Sequence, residues 1–160
     1  MVTLLVACSP QYNWRELTLA DGHIRAAFPA RVQSESRTVQ LGDVATEFTM
    51  TVASVDQATF AVGHARLPPD VARDPDQRNK LARVLWRSAY ANLGTVPPAD
   101  LDVGGPPQMV RGEGAAQGTW SLVKVWASAE GLVQATAMGR DDSLPLAIAR
   151  EFIDQVVVTP

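Results

Sequence analysis

The sequence predicts a single α+β domain: an antiparallel sheet of about seven to eight strands with two main helices packed on it. Three observations predict it. Apolar residues alternate from Trp14 to Leu67, shift to helical spacing, alternate again, and end in a second helical stretch. Turn dipeptides separate the alternating runs at short intervals, and the first helical stretch opens on a capping signature. The 160 residues suit one core, and an apolar share of 46% with 19% charged residues is that of an ordered chain.

The first runs form a meander. Ile24, Ala26 and Phe28 share one strand face; Val44, Thr46, Phe48, Met50 and Val52 share another. Asp21-Gly22 separates Trp14–Ala20 from His23–Phe28, and Gly42-Asp43 separates Thr38–Leu41 from Val44–Val55. Both dipeptides suit the positive φ of two-residue hairpin turns. Asp56-Gln57 then reverses the chain into Ala58–Arg66, with Phe60, Val62 and His64 on one side.

Pro68-Pro69 ends the sheet run. Asp74-Pro75-Asp76-Gln77 places an Asp N-cap, a Pro at the first helical position and a Gln at N3. Leu81, Val84, Leu85, Ala89 and Leu93 follow at helical spacing, and Gly94 is placed to close the helix. Thr95 to Pro107 reads as a long connection. Strands are predicted over Gln108–Arg111, Thr119–Ser128 and Leu132–Gly139, with a turn at Glu130-Gly131. Asp142 or Ser143 is expected to cap a last helix carrying Leu144, Ile148, Phe152 and Val156.

Cys8 is the only cysteine. The run Leu5-Val6-Ala7-Cys8 resembles the bacterial lipobox at all four of its positions. The resemblance implies a lipoprotein whose signal (residues 1–7) is cut before Cys8, whose thiol carries a diacylglyceryl group, and whose residues 8–13 tether a domain spanning 14–160. It also implies a cell-envelope location facing the periplasm, with Ser9 after the cysteine fitting outer-membrane sorting. A secretory signal needs a basic start and about 7–15 apolar residues, but no Lys or Arg precedes Arg15. Two readings follow: the natural start lies upstream, or Val2–Ala7 is an apolar strand with Cys8 as a small buried residue. The polar residues Ser9, Pro10, Gln11 and Asn13 suit the tether.

The element order, with Ile24-Arg25-Ala26-Ala27-Phe28-Pro29-Ala30, resembles the small exported proteins of the PsbP-like fold. Some of these assist assembly of larger complexes, so the resemblance implies a non-enzymatic accessory or binding role and no mechanism.

The chemical inventory is thin. His23 follows a turn, and His64 shares the parity of Phe60 and Val62; neither belongs to an HxH or HExxH motif. Ser34, Ser36, Ser54, Ser88, Ser121, Ser128 and Ser143 all lack a Gly-x-Ser-x-Gly setting. Asp70, Asp74 and Asp76, and later Asp141-Asp142, read as helix-approach residues. Gly112-Glu113-Gly114 with Gly118 reads as a loop, because a strand rather than a helix follows. No catalytic residue, metal or cofactor is assigned. Arg78, Lys80, Arg83 and Arg87 concentrate positive charge on the first helix, and Lys80, Arg83 and Arg87 line one face with Trp86 beside them. That face is either solvated or a docking surface for anionic headgroups or an acidic envelope protein. Trp120, Leu122 and Trp126 read as core. A net charge of −3 and a pI near 5.3 argue against nucleic acid. The alternatives to an accessory domain are a hydrolase-like enzyme assembled from distant residues and a small-ligand carrier.

Overall fold

The computed structural model describes residues 11–160; Cys8, the signal-like residues 1–7 and the first half of the tether lie outside them. The chain runs β1 (Arg15–Leu19), β2 (Ile24–Phe28), β3 (Val32–Leu41), β4 (Val44–Val55), β5 (Ala58–Ala65), α1 (Pro69–Arg73) and α2 (Pro75–Asn92). It continues through β6 (Gln108–Arg111), β7 (Thr119–Ser128), β8 (Gly131–Arg140), α3 (Leu146–Asp154) and β9 (Val157–Val158). The α+β class and the antiparallel pairing are as expected, but the strands form two sheets rather than one. Six strands join in the order β3-β4-β5-β8-β7-β6, and three in the order β1-β2-β9. Alternation marks a strand without saying which partner it takes. Among the described residues, the β1–β2 hairpin pairs only with itself and with Val157–Val158, and Pro29-Ala30 leads the chain from it into the larger sheet.

Both faces of the six-stranded sheet are covered. On one, Phe60, Val62, Trp120, Leu122, Val133 and Ala135 pack against Ile24 and Phe28 of the small sheet and Phe152 and Ile153 of α3. The Phe152 ring lies 5.5 Å from that of Phe28 and 5.4 Å from that of Phe60, within the range in which aromatic pairs attract beyond their buried area. On the other face, Phe48, Ala65, Val123, Val125 and Leu132 pack against Leu81, Leu85 and Trp86 of α2. Two-sided coverage explains why Trp120 to Val123 are all buried in succession, where a one-sided strand would alternate. Gly63 serves the same packing: a Cβ there would collide with the Phe48 ring on the neighbouring strand.

The α2 cap forms as the sequence predicts. Asp74 Oδ1 accepts the backbone N–H groups of Asp76 at 2.9 Å and Gln77 at 3.3 Å, and Gln77 Nε2 donates to Asp74 Oδ2 at 3.1 Å. These bonds, led by the Gln77 backbone and side chain, hold the Asp74 carboxyl below its ordinary pKa. Gly94, at φ +67°, follows the helix end. Leu81, Leu85, Ala89 and Leu93 are buried as expected. Trp86 is a correction: it is 0% exposed, inside the core rather than beside the basic face. The last helix also differs, since it begins after Pro145 and neither Asp142 nor Ser143 caps it. Ser143 Oγ instead accepts the Arg140 N–H at 2.9 Å, closing a tight turn that brings Leu144 into the core. Two elements went unforeseen, the short α1 and the two-residue β9.

Candidate functional site

Three turns meet at one end of the larger sheet and enclose a cleft of about 640 Å³. They are the β1–β2 connection (Ala20–His23), the segment Arg66–Pro69 after β5, and the β7–β8 turn (Ala129-Glu130); the α1–α2 corner closes the remaining side with Ala72, Arg73 and Arg78. Local chemistry sets each wall. Ala20, Asp21 and Gly22 all have positive φ, so the β1–β2 connection is a tight loop that turns Asp21 and His23 toward the larger sheet. Gly131 has φ +132°, and a Cβ there would run into the Ala65 carbonyl, so only glycine lets the β7–β8 turn lie this close to the end of β5.

Polar contacts clamp the two sheets together across the opening. Arg66 Nη2 donates to Asp21 Oδ2 at 2.6 Å, and His23 Nε2 lies 3.2 Å from Glu130 Oε2. Within the small sheet, the Thr159 N–H donates to the His23 carbonyl at 2.8 Å, extending the β2–β9 pairing beside the opening. These side-chain pairs are exposed enough to contribute only about 0–1 kcal/mol each, so they position the walls more than they stabilise the fold.

Both histidines of the chain thus line one cleft, with three arginines. His64 enters from β5 on the face of Phe60 and Val62, as its parity predicts, and is partly buried. Burial lowers its pKa from the ordinary value and the Arg66 guanidinium adds to that, while Asp21 and Glu47 act in the opposite direction. Arg78 reaches in from the first turn of α2, where Nη1 donates to the Ala72 carbonyl. Its Nε is shielded from solvent and has no hydrogen-bond partner among the described residues. Neither Arg73 nor Arg78 forms an ion pair with a described residue.

Among the described residues, Ser128 is the one hydroxyl that lines the cleft. Its Oγ accepts the Glu130 N–H at 3.2 Å and lies 3.4 Å from the Gly131 carbonyl, so it serves the turn. In the His23–Glu130 pair the carboxylate orients the imidazole. Among the described residues, no three His, Cys, Asp or Glu side chains gather as a metal site.

The other sequence-predicted site residues lie elsewhere. Lys80, Arg83 and Arg87 are exposed on α2 and make no ion pair with a described residue, and only Arg78 of the helix cations reaches the cleft. Trp120 and Leu122 are core, whereas Trp126 is partly buried with Lys124 Nζ 5.0 Å from its ring centroid. Asp141 and Asp142 pair with Arg111 and Arg140 at 3.2 and 3.7 Å. No helix among the described residues is long and apolar enough to cross a membrane. No protein family, curated protein or solved structure matches the chain.

Proposed function

We propose that this chain is a lipid-anchored domain of the bacterial cell envelope, PsbP-like in architecture, that binds an anionic group of another envelope component in the cleft between its two sheets. The observation that carries the binding role is the state of Arg73 and Arg78. Two guanidinium groups line a concave site with no carboxylate of a described residue within ion-pair distance. Arg78 Nη1 is spent on the Ala72 carbonyl and its Nε is closed to solvent, so a carboxylate or phosphate oxygen entering the cleft would meet the remaining Nη donors of Arg73 and Arg78. Guanidinium groups suit such planar or tetrahedral anions because their forked donors can bind two oxygens at once. Asp21, the acidic group nearest Arg66, is already neutralised by it.

The lipid anchor rests on Leu5-Val6-Ala7-Cys8 and on where the chain joins the domain. Gln11 Nε2 donates to Asp56 Oδ2 in the β4–β5 turn at 2.8 Å, and the Asn13 N–H donates to the Pro29 carbonyl at 2.8 Å. That turn lies at the start of β5, and the cleft lies at its other end. An anchor at Cys8 therefore leaves the cleft facing away from the membrane, toward a partner in the periplasm.

Titrating inorganic phosphate and, separately, succinate into the domain, with the imidazole resonances of His23 and His64 as reporters, tests the binding role. Saturable shifts with an upward move of the His64 pKa are expected, because a nearby anion favours the charged imidazole. Phosphate alone acting would mark a phosphoryl ligand, and succinate alone a carboxylate; silence from both would end the proposal. Expression of the gene with its native upstream region should place the protein in the membrane fraction, and Cys8→Ala should release it. Unchanged fractionation would remove the anchor.

A further inference from the structure

We infer that β3 is a self-complementary edge through which two copies of this chain pair, strand to antiparallel strand, to form one continuous sheet. β3 ends the six-stranded sheet and spans ten residues, Val32 to Leu41, with no proline. Its register against β4 is unbroken from Val32↔Ala53 to Leu41↔Val44, so no bulge twists the edge away. No described strand pairs with its outer side, and Gln33 to Thr38 are all exposed.

The turn at the end of the strand decides which backbone groups are free. Gly42 and Asp43 form a two-residue loop in which Gly42 has φ +57° and Asp43 has no positive φ, the Gly-first pattern of a type II′ hairpin. The residues flanking such a loop, Leu41 and Val44, exchange hydrogen bonds, so Val39, Arg37, Glu35 and Gln33 also bond to β4. Gln40, Thr38, Ser36, Ser34 and Val32 therefore point their N–H and C=O groups outward. The side chains agree. Ser34 and Ser36 hydroxyls lie 2.9 and 2.7 Å from those of Thr51 and Thr49, the close approach found at pairs that are not hydrogen-bonded to each other.

A two-fold axis between two such edges sets one residue of β3 opposite its own copy, and an axis through Glu35 or Arg37 would oppose like charges. Through Ser36, it sets Glu35 opposite Arg37 of the second copy and Arg37 opposite Glu35, with Ser34 opposite Thr38. Each charged pair then falls at a non-hydrogen-bonded position, where opposed side chains are closest. Through Ser34, Glu35 would face Gln33, and through Thr38, Arg37 would face Val39. Of these, only the Ser36 register joins opposite charges, so the sequence around the axis selects both the partner, a second copy, and its alignment.

Sedimentation of the full, unlipidated chain over a range of concentrations tests this. A monomer–dimer equilibrium is expected. Glu35→Arg alone or Arg37→Glu alone places like charges opposite each other and should weaken it about tenfold. Glu35→Arg with Arg37→Glu restores opposite pairs across the axis and should restore the dimer. Ser36→Pro removes an outward N–H that the β3–β4 ladder does not use, so it should abolish pairing while leaving the melting temperature nearly unchanged. A chain that stays monomeric throughout, or a dimer indifferent to Ser36→Pro and not rescued by the double exchange, overturns the inference. If a single reversal fails to fold, the double exchange and Ser36→Pro still decide.

Discussion

Arg78 and Arg83 lie on the same helix and carry the same charge, yet one lines a cleft and the other stands in solvent. Around Arg78 three turns and the α1–α2 corner form a partly open cleft and the group itself is partly buried, so water screens its charge less than it screens Arg83. Around Arg83 the solvent screens everything beyond a Debye length of about 8 Å. The comparison teaches that helical spacing locates a charge on a face of a helix, while its strength as a binding group depends on what other segments bring beside it. Trp86, three residues after Arg83, makes the same point from the apolar side, being fully buried next to the exposed Arg87.

The largest effect should come from the buried face of α2. Trp86→Ala and Leu85→Ala empty the core against the sheet and should cost about 3–5 and 2–5 kcal/mol respectively, whereas Arg83→Ala should stay within about 0.5 kcal/mol. Urea unfolding of the three variants checks the assignment, and equal midpoints would mean the faces are wrongly drawn. Trp86→Phe is the finer version. The indole Nε1–H has no partner among the described residues, so its loss offsets part of the lost packing, and this variant should fall far closer to wild type than Trp86→Ala.

Next in size is the contrast between the arginines themselves. Arg78→Glu should lower phosphate or succinate affinity at least about tenfold, roughly the 1.4 kcal/mol that separates decades of affinity. Arg83→Glu should leave it unchanged, and a calorimetric titration showing equal losses would dissolve the distinction between cleft and stripe.

The acid limb of stability is smaller. Burial and Arg66 hold the folded-state pKa of His64 down, so the unfolded chain takes up its proton first as the pH falls below about 6.5. The contribution of neutral His64 is complete above that pH and is lost on acidification down through the folded-state pKa. His64→Gln should flatten stability against pH over this window, measured as melting temperature. A matching slope in both proteins would show that other groups carry it. Saturating phosphate should shrink the wild-type slope, since it raises the folded pKa.

The smallest expected effect belongs to Lys80, Arg83 and Arg87. Near an anionic bilayer each such charge contributes on the order of 1 kcal/mol. Co-sedimentation with anionic vesicles should therefore be weak, stronger at low salt, and absent in the Lys80→Glu, Arg83→Glu double variant. If wild type and variant sediment alike, the stripe is a solvated face.

Much of the fold was legible because its signals are local. Asp74-Pro75-Asp76-Gln77 satisfies the first backbone donors of α2 with atoms a few residues away, and Gly42 supplies the φ its turn requires. The last helix was misplaced at its start because Ser143 had two local uses, capping a helix or closing a turn, and Pro145 made the turn the better one. The cleft was not legible. His23, Arg66 and Glu130 each sit at a strand end where a polar residue is ordinary, and they become a site only when three separate turns converge. One usable signal was present: the glycine beside Glu130, whose φ of +132° lets that turn approach β5.

By itself the sequence determined what short-range sterics and hydrogen bonding decide: the eight longer strands, where the helix of Leu81 to Leu93 begins and ends, and which of its residues are apolar. The tertiary structure alone decided partnership. Alternation is identical for a strand of either sheet, so only packing could separate the β1–β2 hairpin from the six-stranded sheet and give Val157–Val158 its place beside Ile24 and Arg25. The same packing brought Arg78 to two histidines that lie before it in the chain. A binding site depends on distances between segments, and those are set by how two sheets and a helix bury their faces together.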